Sequence, residues 1–345
     1  MAQAIMLRQY GDPAALRAEP VELAALGPGE LRLRQTAIGV NFHDIYVRSG
    51  AYKTLALPGI PGLEAVGTVE AVGQAAQGFS VGDRVAYIDS SYGAYADERN
   101  IGADLCVRLP EPIEDRVAGT MFLKGLTAAV LLHRVRQVRA GDTILVHAAA
   151  GGVGRLLVQW ATEIGARVIG TTGSREKAAA ARAHGCDEVI LYGEEDVAER
   201  VLDLTRGAGV DIVYDAVGRD TFDGSLKSLG LLGHLVNYGQ ASGPVAPFDI
   251  SRLAMKGLTI SRPAYAHHVR TPEALHAIAA MFFGAIETGI LKAERGIAYP
   301  LTDAALAHRA LEDRAAGPFV LIPRPSGKQA ATKRSPMSET PHNAD

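Results

Sequence analysis

The stretch that decides the fold is Thr143-Ile-Leu-Val-His-Ala-Ala-Ala-Gly-Gly-Val-Gly154. It begins as a short apolar segment typical of a buried strand, continues into glycines, and leads into an amphipathic segment, 155–164. A strand–turn–helix of this kind brings backbone amides and the positive end of the helix dipole to a pyrophosphate. Close packing of helix on strand would also explain Gly151, Gly152 and Gly154, but the context favours a dinucleotide-binding turn.

Outward from this turn, strand-like and helix-like segments alternate along the chain. Such alternation predicts an α/β fold with a parallel, doubly wound Rossmann sheet and crossover helices. The predicted strands are 143–148, 167–172, 188–192, 210–215, 233–238 and 258–261, and the predicted helices are 155–164, 175–184, 194–206 and 220–230. The region before them is rich in strand signals, at 30–36, 65–72 and 84–88, and becomes helical at 115–134. Helices at 272–289 and 302–315 and a strand at 319–322 follow.

Length and composition narrow the class of protein. A chain of 345 residues fits two domains, and 48% hydrophobic residues with 21% charged residues are ordinary for a globular protein. The formal net charge of -3 argues against nucleic acid as the main ligand. Cys106 and Cys186 form no disulfide or metal framework. With no signal-peptide pattern and no apolar run near the roughly 20 residues of a membrane span, we expect a cytoplasmic protein that does not bind membranes.

The end of the second Rossmann strand selects the dinucleotide. An NAD site usually has Asp or Glu there to accept hydrogen bonds from the ribose hydroxyl, and this chain has none. Gly173 and Ser174 can offer donors to a phosphate, Lys177 follows one helical turn later, and Tyr192 ends the next strand. Lys177 could instead be a solvated helix residue, and Glu176 could point either way. The missing acid favours NADPH.

Several motifs at consistent spacing stand out: Ala37–Gly50, Phe122–Thr127, His147–Gly154 and Val213–Asp220. They resemble the quinone oxidoreductases, the ζ-crystallin-like branch of the medium-chain dehydrogenase/reductase superfamily, from near residue 1 to about Pro323. The resemblance implies a GroES-like β-barrel catalytic domain, built from both ends of the chain, around the Rossmann domain.

The same resemblance gives expected domain limits. Residues 1–125 and 263–323 would form the catalytic domain, and 126–262 the NADP-binding Rossmann domain. The segment 324–345 lacks apolar periodicity, so we expect a disordered tail. A homodimer is implied as well, formed through the late Rossmann strands near 233–262.

The zinc ligands of related dehydrogenases are missing. Asn41 stands near the position of a ligating Cys, Gly62-Leu63-Glu64 lacks the His of a Gly-His-Glu motif, and only Cys106 lies near the structural-zinc region. His43, Glu64 and Cys106 could form a set, but each has an ordinary explanation: a surface or core histidine, a turn carboxylate and a buried thiol. We predict no metal, since catalytic zinc needs about three protein ligands. Without a Lewis acid, reduction of an already electrophilic quinone or conjugated carbonyl compound is favoured.

The resemblance also assigns site residues. Asn41, Tyr46, Lys124 and Thr127 would line the nicotinamide and substrate cleft. Tyr46 and Tyr52 would hydrogen-bond a quinone oxygen or flank the quinone ring, so the predicted catalytic residues are Tyr46, Tyr52 and Asn41. Tyrosines near turns also often cover a domain edge. Lys124 could raise the local positive potential or could cap a helix.

Loops at the carboxyl ends of the late strands would hold the nicotinamide end. Arg314 is either a basic residue for the adenine-ribose phosphate or an exposed helix end. Asp215 is more readily a residue that ties down its own loop than a general base. The full predicted cofactor set is Asn41, Lys124, Thr127, Gly151, Gly152, Val153, Gly173, Ser174, Lys177, Tyr192, Val217, Tyr238, Gly239, Gln240, Ser242, Pro263 and Arg314.

Two other functions stay open at this stage. One is an NADPH-dependent enoyl or alkenal reductase of the same superfamily, which would saturate a C=C bond. The other is a non-catalytic NADPH-binding protein that stores the cofactor or binds RNA, and the mild acidity of the chain disfavours RNA binding.

The phosphate prediction is tested by Lys177→Ala. A lost charge-assisted hydrogen bond of about 1.5–3 kcal/mol would raise the Kd for NADPH at least about tenfold and leave the Kd for NADH unchanged. Titration with each nucleotide measures this, and equal affinities of the unaltered protein for NADPH and NADH would contradict it.

Overall fold

A computed structural model describes residues 1–313, 315 and 317–324; Arg314 and nearly all of the predicted tail lie outside this set. The strands are β1 (Ala2–Leu7), β2 (Leu16–Val21), β3 (Glu30–Gly39), β4 (Glu64–Val72), β5 (Arg84–Ile88), β6 (Glu98–Gly102), β7 (Cys106–Arg108), β8 (Thr143–Val146), β9 (Arg167–Thr172), β10 (Glu188–Leu191), β11 (Val210–Asp215), β12 (Leu229–Asn237), β13 (Thr259–Ser261), β14 (Ile297–Pro300) and β15 (Phe319–Ile322). The α-helices are α1 (Phe42–Ser49), α2 (Asp115–Val130), α3 (Gly154–Ile164), α4 (Arg175–Ala183), α5 (Val197–Leu204), α6 (Phe222–Ser228), α7 (Pro272–Glu287) and α8 (Ala304–Glu312).

The parallel sheet confirms the predicted Rossmann architecture. Its strands run in the order β10-β9-β8-β11-β12-β13, all parallel, which is the doubly wound order with a reversal between β8 and β11. Ile144, Leu145 and Val146 of β8 are all fully buried, as expected for a strand covered on both faces. Because the strands are parallel, their carboxyl ends share one edge, and that edge borders the site described below.

The second sheet joins residues from both ends of the described chain. Its order is β14-β15-β3-β4-β5-β7, with β6 also paired to β3, and β15 runs antiparallel to β3. Alternating burial along β3 places Leu31 and Leu33 in the core. The α/β class is therefore confirmed, while the domain limits given above stay a prediction. Among the described residues, no helix is both long and apolar enough to cross a membrane.

Two local expectations differ from the structure. The helical segment 115–134 divides into α2 and a π-helical turn, Leu131–Val135. The strand expected from 233 starts earlier, at Leu229. The sequence pattern misses its first residues because Leu231 and Leu232 are apolar but largely exposed, at 77% and 81%.

Gly125 is required where α2 crosses α7. A Cβ at Gly125 would overlap the Phe282 ring, which is fully buried. The glycine in this helix therefore reflects a close approach of two elements and not a helix end.

We expect Gly125→Ala to lower the free energy of unfolding by about 1–3 kcal/mol, because the methyl group overpacks the helix crossing. Gly284→Ala in α7 is the matched control, since a Cβ there meets nothing within 4 Å. The control should raise stability by about 0.5–1 kcal/mol. Urea unfolding measures both, and equal effects of the two substitutions would contradict the packing argument.

Candidate functional site

A cleft of about 1340 Å³ lies along the carboxyl ends of the parallel strands and is closed on its other side by α1 and α2. Ser174, Gln240 and Ser242 lie outside its lining, and Arg314 is not among the described residues. The predicted site residues that line the cleft are Asn41, Tyr46, Tyr52, Lys124, Thr127, Gly151, Gly152, Val153, Gly173, Lys177, Tyr192, Val217, Tyr238, Gly239 and Pro263.

The glycine turn has the shape that a pyrophosphate needs. Ala148 adopts a left-handed backbone with φ of 53°, which turns the chain sharply after β8. A Cβ at Gly154 would overlap the Ala148 carbonyl, so this glycine lets α3 start directly against the strand end. A Cβ at Gly152 would lie 3.1 Å from Lys124 Cδ, inside the cleft. The turn therefore leaves its backbone open to a ligand at the N-terminus of α3.

The end of β9 brings the predicted phosphate residues together. The Tyr192 hydroxyl lies over Gly173, where a Cβ would overlap it. Ser174 caps α4, and its hydroxyl accepts a hydrogen bond from the Lys177 backbone N–H at 3.2 Å. Lys177 and Glu176 both border the cleft, so the local charge is mixed. The donors at this strand end fit a ribose phosphate.

Glu64 is a fully buried residue at the start of β4 and not the turn carboxylate that the sequence suggested. Its carboxylate accepts hydrogen bonds from Asn41 Nδ2 at 2.8 Å and from the Leu123 backbone N–H at 2.6 Å. Lys124 Nζ lies 3.7 Å from Glu64 Oε1 and donates to the Val40 carbonyl at 3.3 Å. Two predicted cleft residues, Asn41 and Lys124, thus share one buried partner.

Asp44 continues this network behind the cleft. Its Oδ2 accepts from the Asn41 backbone N–H at 2.8 Å and from the Tyr95 hydroxyl at 3.2 Å. Burial raises the pKa of Asp44 to about 7. Tyr95 in turn lies 2.9 Å from Nε2 of His308, whose pKa burial lowers to about 3. Because His308 belongs to α8, the network joins the start of α1 to the returning C-terminal part of the chain.

Aromatic side chains form the other wall. The Tyr46 and Tyr52 rings have centroids 5.0 Å apart, and the His43 ring meets Tyr52 edge-on at 5.4 Å. His43 Nε2 lies 3.0 Å from the Tyr92 hydroxyl, and burial lowers the pKa of His43, so its ring is neutral at pH 7. Burial raises the pKa of Tyr46 to about 12, against the opposing effects of the Gln240 backbone and the charge of Arg262. Tyr46 therefore keeps its proton at neutral pH.

The lining residues that sequence reasoning missed include Arg262, Tyr265 and His147. Arg262 Nη1 donates to the Asn237 side-chain oxygen and to the Gly239 carbonyl, both at 2.7 Å, and so fixes the loop after β12. Its place directly after β13, at the carboxyl edge of the sheet, was the available signal.

Three side chains make hydrogen bonds within the carboxyl edge of the parallel sheet and its loops: His147, Asp215 and Ser242. His147 contacts Thr171 Oγ1 at 3.1 Å, and burial lowers its pKa. Asp215 accepts from the Val217 backbone N–H at 2.7 Å, as the loop-tying interpretation predicts. Ser242 donates to the Val217 carbonyl at 2.9 Å.

The three residues considered as zinc ligands each have other partners. Glu64 accepts hydrogen bonds from Asn41 and Leu123, and His43 contacts the Tyr92 hydroxyl. The Cys106 thiol donates to the Gly102 carbonyl at 3.6 Å. Burial raises the pKa of Cys106 to about 12. Across the part of the chain that the structure describes, no group of three or more His, Cys, Asp or Glu residues could hold a metal ion.

Comparison with known proteins gives the family. Residues 27–138 match the alcohol dehydrogenase GroES-like domain, and residues 152–280 match the zinc-binding dehydrogenase family. The quinone oxidoreductase of Pseudomonas aeruginosa is 44% identical over 94% of this chain and 100% of its own length. The chain belongs to the quinone oxidoreductase family. Its sequence departs from the zinc-binding description at Asn41 and Leu63, as noted above.

Two further relatives differ in the substrate for which they are named. The crystal structure of Escherichia coli quinone oxidoreductase complexed with NADPH has a TM-score of 0.90 and 40% identity, covering 93% of this chain and 100% of that chain. A 2-haloacrylate reductase from Burkholderia is also 40% identical, over 94% of this chain and 100% of its own length. This chain is therefore as similar to a protein named for the reduction of a 2-haloacrylate as it is to a quinone oxidoreductase.

Proposed function

We propose that this protein reduces quinones by hydride transfer from NADPH, without a metal ion. The observation that carries the proposal is one continuous cleft, with the dinucleotide turn on one wall and the Tyr46–Tyr52 pair on the other. Similarity of 40–44% to quinone oxidoreductases along 94% of the chain supports the same activity. When bound, NADPH supplies the hydride, and the protein binds and orients the reactants.

The cofactor would extend along the edge of the parallel sheet. The glycine turn fits the pyrophosphate, the Gly173–Tyr192 contact fits the 2′-phosphate, and the α1–α2 wall fits the nicotinamide end. The residues proposed for these three parts are Gly151, Gly152 and Val153; then Gly173, Ser174, Lys177 and Tyr192; then Asn41, Lys124 and Thr127.

Tyr46 is the proposed catalytic donor. A quinone oxygen gains negative charge as a hydride reaches the ring, and a hydroxyl aimed at that oxygen stabilises the charge. Because its pKa is raised to about 12, Tyr46 donates through the whole neutral pH range. Hydride and one further proton from solvent convert the quinone to the hydroquinone. Tyr52 and His43 give the pocket flat aromatic faces that suit a planar substrate.

We also propose a cytoplasmic homodimer with the domain limits 1–125, 126–262 and 263–323. β13 is the last strand of the parallel sheet order, so its outer edge offers unpaired backbone groups. Large exposed apolar side chains lie in the segments next to that edge, which supports a second copy of the chain as the partner. They are Leu231, Leu232, Ile250 and Met255.

The activity is tested with 1,2-naphthoquinone, 9,10-phenanthrenequinone, 2-alkenals and 2-chloroacrylate, each with NADPH. We expect NADPH oxidation to be fastest with the quinones. Turnover of the alkenals or 2-chloroacrylate alone would make the protein a C=C reductase. NADPH binding without turnover of any of these compounds would indicate a non-catalytic protein.

Tyr46→Phe should lower kcat for the quinones roughly tenfold to a hundredfold and leave the Kd for NADPH unchanged, because only the hydroxyl is lost. Tyr10→Phe is the matched control, since Tyr10 donates to the Leu55 carbonyl and lies outside the cleft lining. Equal kcat values for both variants and the unaltered protein would remove Tyr46 from the chemistry.

A further inference from the structure

Lys124 is an unusual cleft residue because its ammonium group is almost fully enclosed. Its side chain is only 9% exposed, although it lines the cavity. Burial lowers the pKa of a lysine, since the charged form loses its hydration, and the pKa of Lys124 is lowered for this reason. Something must keep the ammonium group charged and in place.

Two carboxylates favour the charged form of Lys124, in addition to the hydrogen bond to the Val40 carbonyl. Glu64 lies 3.7 Å away and Asp44 acts from a greater distance, and both raise the pKa of Lys124. Arg155 of α3 acts in the opposite direction. Burial raises the pKa of Glu64 as well, while Lys124, the Asn41 amide and the Leu123 N–H act in the opposite direction. Tyr265 and Tyr95 stay neutral at ordinary pH, because burial raises their pKa values.

The backbone makes room for this carboxylate. A Cβ at Gly39, the last residue of β3, would overlap the Glu64 side chain. The Leu123 N–H and the Asn41 amide then fix the two carboxylate oxygens, each by a short hydrogen bond. The Glu64 carboxylate thus has three partners, from the start of α1 and from α2, and the space that Gly39 leaves for it. Its orientation is therefore defined, and so is the orientation of the Asn41 amide that bonds it.

We propose that Glu64 is a positioning residue: it fixes the Lys124 ammonium and the Asn41 amide at the cleft and keeps that ammonium charged. Asn41 and Glu64 occupy the sequence positions compared above with zinc-ligand motifs; in this chain Asn41 donates a hydrogen bond to Glu64, and Glu64 lies beside Lys124. The inference rests on the proposed function, because NADPH binding in the cleft is its readout.

The test is Glu64→Gln, which keeps the shape and removes the charge. NADPH affinity is measured by fluorescence titration without quinone, from pH 7.5 to 9.5, a window above the pKa of Asp44. The unaltered protein should show a Kd that changes less than about twofold. Glu64→Gln removes the carboxylate that most strongly opposes the lowering of the Lys124 pKa, so deprotonation of the amine moves to lower pH and the Kd should rise about tenfold across this pH range.

A double-variant comparison separates positioning from general stability. If Glu64 acts through Lys124, then Glu64→Gln combined with Lys124→Met should bind NADPH no more weakly than Lys124→Met alone, with a flat pH profile. Asp89→Asn is the matched control. It breaks another largely buried ion pair, Asp89–Arg99 at 2.8 Å, and should leave the profile flat.

A flat profile for Glu64→Gln, or additive losses in the double variant, would overturn the inference. Should Glu64→Gln not fold, Gly39→Ala displaces the same carboxylate and should give the same pH signature; failure of both to fold would make Glu64 a stability residue only. Quinone turnover by the unaltered protein is a separate assay. Its failure, with the pH signature present, would refute the proposed activity and leave the role of Glu64 standing.

Discussion

The buried carboxylate of Glu64 is the constraint on which the catalytic half of the cleft depends. It binds donors from the start of α1 and from the middle of α2, two elements that no backbone ladder joins. An ionised group without water must be compensated by such partners, or its burial would be strongly unfavourable. The requirement therefore fixes where Asn41 and Lys124 lie relative to each other, and both line the cleft.

The Rossmann half of the site could be predicted because its signals are local. A buried strand, a glycine turn and a helix follow one another directly at 143–164, and the alternation of strands and helices predicted the parallel, doubly wound sheet. The prediction of a phosphate-binding group at the end of β9 rested on equally local signals, since Gly173, Lys177 and the position that lacks an acid lie within a few residues. The interpretation of Asp215 succeeded for the same reason: it bonds its own loop.

The buried network that supports the other half could not be predicted, because its partners are distant in sequence. Glu64 and Leu123 are 59 residues apart, and Tyr95 and His308 are 213 apart. A carboxylate directly after Gly62-Leu63 resembles a turn residue in the sequence, and only the folded sheet shows that Glu64 is fully buried. Ser174, Gln240 and Ser242 lie within correctly placed loops yet off the cleft lining, because proximity in a loop does not fix which way a side chain faces.

A crystal structure of the protein with bound NADPH tests the central claim most directly, namely that the dinucleotide joins the glycine turn to the Glu64-supported wall. The account predicts the 2′-phosphate beside Lys177 and Tyr192, and the nicotinamide ring beside Asn41 and Lys124, facing Tyr46. A cofactor bound in the opposite direction, or with its nicotinamide ring away from the α1–α2 wall, would contradict it.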